Sequence, residues 1–199
     1  MDPRRDRVPV SSAMARLERF ATGRRGLALI GLWAFAEAIV LPVVPDVALG
    51  LLVLVAPRRT LVLFAWLIAA SLAGTAVLFV AATFARDAVT ATILALPGIT
   101  APMLHDARAT VATGNPMALA LFGPGTPLKV YTLVWAIGPA TVLPLAAGAI
   151  INRLTRIGPG LVTLAVIGRV APGFVRRHER LVLLAYATFW VVLYSIYLS

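Results

Sequence analysis

Three ionisable side chains stand inside otherwise apolar sequence: Glu37, Asp46 and Lys129, the last being the chain's only lysine. A charge near the middle of a bilayer costs roughly 3 kcal/mol or more, and residues that bear this cost usually mark an ion or substrate path or a proton relay. Glu37 and Asp46 are therefore the candidates for transport and proton coupling. The competing reading is structural: the acids are solvated near an interface, or one of them pairs with Lys129 to hold two segments together. Lys129 follows Pro127 by two residues, near a predicted helix start. There a point charge and free backbone N–H groups would together favour an anionic headgroup. Gly125 and Thr126, with Gly123 before them, would let the backbone approach such a group closely, although ordinary turns use the same residues.

The remaining basic residues carry weaker signals. Arg153, Arg156 and Arg169 close apolar pieces, where long side chains snorkel toward headgroups by default. Arg169, between two short apolar pieces, has the best claim among them to face inward and bind a headgroup. His105 and His178 fall in polar loops, and no spacing of histidines and carboxylates resembles a metal-ligand set. Lipid-modifying enzymes need a nucleophile with a positioned base, or carboxylates gathered on metals. Of five serines only Ser71 and Ser195 lie within apolar spans, and neither has a histidine near it. The expectation is a protein that is not an enzyme and has no cofactor and no metal.

These residues must be held by elements that cross or enter a bilayer. The chain is 60% apolar and 13% charged, against about 45–50% and 25% for soluble domains. Crossing a hydrocarbon core of about 30 Å takes about 20 helical residues. Thr60–Ala85 is uncharged over 26 residues, Leu181–Ser199 over 19 and Val130–Asn152 over 23, and each is expected to span. Residues 26–56 are also apolar but are interrupted by Glu37, Pro42, Pro45 and Asp46. Two prolines three apart make a continuous helix unfavourable, so a re-entrant hairpin with its tip at Pro42–Asp46 is expected. Irregular backbone at that depth must be buried in protein or line a cavity.

The same spacing returns 82 residues later. Pro42, Pro45 and Pro57 are matched by Pro124, Pro127 and Pro139, with an ionisable residue after each middle proline. Repeated broken helices mark a transport site between two halves. The hairpins are placed near 29–57 and 114–139, within a membrane unit spanning 26–180. The stretch Asp87–Thr113, broken by Pro97, Gly98 and Pro102, reads as a connector carrying one partly buried or surface helix. A last transmembrane helix covers 181–199.

The formal charge of +10 does not point to nucleic acid, because the arginines are scattered at the ends of apolar runs as headgroup anchors. Residues 1–25 form a basic tail followed by a short amphipathic interfacial helix, placed on the cytoplasmic face by the positive-inside rule. Cysteine is absent, which excludes thiol chemistry. The richness in arginine and alanine suggests a GC-rich bacterial genome, and hence a multi-pass protein of the bacterial plasma (inner) membrane.

Phe35-Ala36-Glu37 with Leu41-Pro42-Val43-Val44-Pro45-Asp46, and Phe122-Gly123-Pro124-Gly125-Thr126-Pro127-Leu128-Lys129 with a small-residue turn at Gly138, resemble the DedA/VTT-domain (SNARE-associated) membrane proteins, in particular their YqaA-like branch. The resemblance covers roughly residues 26–169. It implies an all-α integral membrane fold with two re-entrant hairpins in an inverted repeat. It also implies movement of anionic lipids, such as polyprenyl phosphate carriers, between leaflets. The family's membrane acids would fall on Glu37 and Asp46, and its basic residue on Lys129. Two arginines often found in the family are replaced here by Gly123 and Pro172.

The leading expectation is a flippase or scramblase for an anionic polyprenyl phosphate, coupled to protons, with membrane lipids as partners. A proton-coupled exporter of small ions or drugs uses the same three residues and stays open, as does homo-oligomerisation.

Overall fold

The computed structural model describes residues 13–115, 117, 126–139 and 141–198. Among the described residues the chain is all-helical, with no strand. The helices are α1 (Ala13–Thr22), α2 (Arg24–Ile39), α3 (Asp46–Val55), α4 (Thr60–Phe84), α5 (Arg86–Leu94), α6 (Ala101–Ala112), α7 (Leu128–Ile137), α8 (Val142–Arg156), α9 (Gly158–Val170), α10 (Pro172–Arg177) and α11 (Glu179–Leu198), with a 3₁₀ turn at Pro57–Arg59. The α4 helix with its preceding turn, and α11, are long and apolar enough to cross a membrane. A third crossing is available if α8 and α9, bent by 42° at Ile157, act as one span.

The prolines set the lengths of the short helices. The α3 helix starts directly after Pro45 and α7 directly after Pro127, and each runs for 10 residues. At 1.5 Å per residue each is about 15 Å long, half of what a crossing needs. Asp46 is the first residue of α3, where a carboxylate complements the partial positive charge of the helix end.

The uncharged run Val130–Asn152, expected to be a single span, is two helices. Gly138 and Pro139 end α7, and the Trp135 indole N–H donates to the Thr141 hydroxyl across the break at 3.0 Å. A count of charges alone runs through Gly138 and Pro139, whereas the proline spacing, which ends the second hairpin at 139, marks the break. The connector 87–113 also differs from its expectation of one helix. It holds α5 and α6, separated by a turn in which Gly98 takes a positive φ of 76°, a conformation that costs glycine little. Leu104, Ala107 and Val111 lie on one face of α6 and are buried with Tyr131, Val134 and Trp135 of α7.

A second core joins Ile30 and Ala34 of α2, Leu49 and Val53 of α3, Leu63 and Leu67 of α4, and Leu161 of α9. Small residues let α2 and α4 approach closely, as they do between helices in lipid. A side chain at Gly74 would meet the Phe35 carbonyl oxygen at 2.5 Å, and one at Gly31 would strike the Trp66 indole, whose N–H donates to the Leu27 carbonyl at 2.8 Å.

Element boundaries and burial recur at the spacing of the prolines. Adding 82 to the start and end of α3 gives those of α7, and adding 82 to Thr60, the start of α4, gives Val142, the start of α8. Leu49, Leu52 and Val53 are buried, as are Tyr131, Val134 and Trp135. Leu63, Leu67 and Ser71 are buried, as are Leu145, Ala149 and Arg153. The packing is reciprocal: α3 lies mainly against α9, and α7 mainly against α4 and α6. The α7 helix is thus packed on α4, the long helix that follows the first break, and α3 on α9, the second of the two helices that follow α7.

Candidate functional site

The break between α2 and α3 exposes backbone groups that no helix satisfies, and side chains from α2 itself and from two other elements take them up. The Trp33 indole N–H of α2 donates to the Val43 carbonyl at 2.8 Å. Lys129 Nζ of α7 donates to the Leu41 carbonyl at 2.5 Å, and the Val44 N–H donates to the Tyr194 hydroxyl of α11 at 2.7 Å. Leu41, Pro42 and Val43 are exposed and Val44 is half-buried, and irregular backbone at membrane depth needs such partners. Lys129, 2% exposed, is thereby fixed between the first break and the start of α7.

Beneath this segment lies a buried polar cluster. Glu37 of α2, Ser71 of α4 and Arg153 of α8 are 4%, 2% and 6% exposed. An Arg153 Nη2 hydrogen donates to the Glu37 carboxylate, forming an ion pair. Nη2 and Nε also donate to the Ser71 hydroxyl oxygen, at 3.0 and 3.3 Å. Arg153 is therefore not the snorkelling anchor expected from its place at the end of an apolar run. Its guanidinium turns inward because Glu37 and Ser71 offer it charge and hydrogen bonds there. Among the described residues neither Glu37 nor Asp46 is ion-paired with Lys129.

Glu37, Asp46, Lys129, Arg153 and the exposed Arg156 all line one cavity of about 780 Å³, a size within the usual range of ligand sites. Its charged wall sets three cationic groups against two carboxylates. Its other wall is apolar and aromatic, made by Tyr186, Phe189, Trp190, Leu193 and Tyr194, which follow one another at helical spacing on one face of α11. The Tyr186 hydroxyl donates to the Val47 carbonyl at 2.8 Å. It reaches α3 because residue 50 is glycine, where a side chain would meet that hydroxyl at 2.5 Å.

The structure thus gathers three of the residues singled out from sequence, together with Pro42 and Pro127 of the breaks. Thr126 is buried beside them in sequence but does not line the cavity, and neither does Pro45. Pro124 and Gly125 lie outside the described residues. Arg169 is exposed on α9 and lines a different cavity with Arg58, Arg59 and Arg176. Sequence reasoning missed Arg153 as a site residue, and with it Asn152, Ser71 and the aromatic face of α11. Among the described residues no group of three His, Asp or Glu side chains is placed to hold a metal ion. Compared with known proteins, the chain matches no protein-family model, no curated protein and no solved structure.

Proposed function

We propose that the protein is a membrane lipid transporter, a flippase or scramblase, that moves an anionic polyprenyl phosphate between leaflets. The observation that carries this reading is the cavity itself: Lys129, Arg153 and Arg156 on one side, the aromatic face of α11 on the other. An amphiphile needs both walls. Its phosphate is attracted by the cations, and its hydrocarbon chain lies against Phe189 and Leu193, burying apolar surface on a protein wall as it would in lipid.

In this reading α2–α3 and the segment ending in α7 are re-entrant hairpins related as an inverted repeat. Three features support it: the half-length of α3 and α7, their shared offset of 82 residues, and their reciprocal packing on α9 and α4. The resemblance of the Glu37, Asp46 and Lys129 segments to DedA/VTT-domain proteins agrees with it.

The Arg153–Glu37 pair supplies a coupling step. A phosphate entering the cavity competes with the Glu37 carboxylate for the same guanidinium. Protonation of Glu37 releases Arg153 to the phosphate, and loss of that proton draws Arg153 back. Each lipid phosphate bound is then accompanied by one proton on Glu37, with Asp46 as a second acid on the path. In this reading the protein works in a bacterial plasma membrane with its N-terminus in the cytoplasm.

Leaflet exchange of a fluorescent polyprenyl phosphate in reconstituted vesicles tests this. Wild type is expected to exchange the lipid, and Glu37→Gln, Asp46→Asn and Lys129→Ala to abolish exchange while remaining folded. No exchange of polyprenyl phosphate or of ordinary phospholipids by wild type would remove the lipid reading and leave the ion-coupled exporter.

A further inference from the structure

The α11 helix walls the cavity without being packed into the bundle. None of its side chains over Glu179–Ile196 is buried, whereas 33% of the apolar stretch of α4 is. Apart from the short α10 before it, no helix packs along α11. Its two ends are held differently. At the base, Val182 and Leu183 pack on the small core of Met14, Leu54 and Val175, and the Met14 N–H donates to the Glu179 carboxylate at 3.5 Å. Farther along, tyrosine hydroxyls reach across to the first break and the start of α3. Tyr186 donates to the Val47 carbonyl at 2.8 Å, and Tyr194 accepts from the Val44 N–H at 2.7 Å. Tyr194 stands about 16 Å along the helix from Leu183, at 1.5 Å per residue. The base itself follows two bends, at Ala171 (φ −124°, ψ 44°) and His178 (φ −111°, ψ 34°), which flank α10. Residues at element ends of this kind are where hinges absorb backbone rotation.

The cavity reaches the lipid-facing surface along this wall. Phe189 and Leu193 line it and yet are 59% and 43% exposed, which places them at its lip. A volume of about 780 Å³ suits a ligand of drug size. The long tail of a polyprenyl phosphate has no room there and must stay in the bilayer while the head is inside, so it has to pass through a side wall. Moving a helix away from its neighbours in lipid forfeits little apolar burial, because lipid tails are as apolar as the helix. Polar contacts then matter most for keeping such a wall shut.

We infer that α11 is the lateral gate of the cavity, hinged at α10 and latched to the first break and α3 by Tyr194 and Tyr186, and that the lipid tail passes between α11 and α3. The inference rests on the lipid-transport reading and supplies its entry route.

A reversible lock tests it. A side chain at position 50 would begin 2.5 Å from the Tyr186 hydroxyl, so Gly50→Cys with Tyr186→Cys puts one thiol on each side of the gate. In a chain without native cysteine, a short bis-methanethiosulfonate joins this pair and reduction releases it. In reconstituted vesicles, cross-linking is expected to lower exchange of a fluorescent polyprenyl phosphate to the rate of protein-free vesicles, and reduction to restore it. Undiminished exchange in the cross-linked protein would overturn the gate while leaving lipid transport intact.

A second measurement decides the matter if the cysteine pair is inactive before cross-linking. Tyr194→Phe keeps the ring and removes the latch, and is expected to speed exchange about fivefold, the worth of one hydrogen bond. Spin labels on Thr83→Cys and Ser195→Cys, both exposed, should lie farther apart in Tyr194→Phe than with Tyr194 present. Labels on Thr83→Cys and Leu181→Cys, the latter at the base, should not. Double electron–electron resonance reads both distances, and no change in the first would mean that α11 is a fixed wall. Absence of exchange of polyprenyl phosphate and of ordinary phospholipids by wild type would overturn the lipid reading and the tail route together.

Discussion

Ser71 and Arg153 touch each other and are 82 residues apart, the same interval that separates α3 from α7 and the start of α4 from that of α8. In the proposed repeat they would occupy equivalent positions in the two halves of the chain. In an arrangement with two-fold symmetry, only residues close to the axis meet their own equivalents. The hydrogen bond between these two is what the proposed inverted repeat requires at its centre. Such a symmetry would be broken chemically: one half supplies the hydroxyl, the other the guanidinium that holds Glu37.

That cluster should dominate the response to mutation. Removing one partner of a buried ion pair leaves an uncompensated charge and typically costs about 3–5 kcal/mol. Arg153→Leu is expected to destabilise by about that amount, and Glu37→Leu with Arg153→Leu to recover most of it without restoring transport. Thermal unfolding in detergent, followed by circular dichroism, measures both. A loss below about 1 kcal/mol for Arg153→Leu would mean that the pair behaves like an exposed one, solvated in the cavity.

How far the sequence leads depends on the kind of signal. Glu37, Asp46 and Lys129 were legible because ionisable residues within long apolar runs are few and expensive. The ends of α3 and α7 were legible because proline acts through the backbone, whatever the tertiary context. Arg153 was not, since an arginine closing an apolar run beside Arg156 looks the same whether it turns to lipid headgroups or to a buried acid. Extending the 82-residue register beyond the prolines would have paired it with Ser71, inside α4, and so placed it at depth. The aromatic face of α11 was hidden for another reason: apolar helices in lipid are apolar all round, so no periodicity tells the wall of a cavity from the face toward lipid.

Close approach of α2 to α4 holds Glu37 against Arg153, and Gly74 permits it. With the Phe35 carbonyl 2.5 Å from where a side chain would begin, Gly74→Val must push the helices apart. Overpacking of this kind costs about 1–3 kcal/mol. Exchange activity is expected to fall further than stability, because the ion pair depends on the same spacing. Parallel melting and exchange assays separate the two effects, and equal losses would argue that the spacing matters only for folding.

The absence of cysteine makes single-cysteine labelling clean. If α2–α3 enters and leaves by one face, Arg25→Cys and Arg59→Cys should react with a membrane-impermeant maleimide from the same side. With α4 as one crossing, Asn115→Cys and Thr141→Cys should both react from the other side. Labelling of positions 25 and 59 from opposite sides would convert the first hairpin into a crossing and exclude the inverted arrangement.

Exchanging the central pair tests the symmetry directly. Ser71→Arg alone adds a second buried guanidinium beside the first, and Arg153→Ser alone strands Glu37; each is expected to cost about 3 kcal/mol or more. If the two positions are equivalent about an axis, the double variant returns one guanidinium and one hydroxyl to the same point, within reach of Glu37. It should then be more stable than either single variant, by a coupling of about 1–3 kcal/mol. Thermal melts of the four proteins close the cycle. Additive losses would mean that the contact joins two positions unrelated by symmetry, and that the recurring interval reflects the prolines alone.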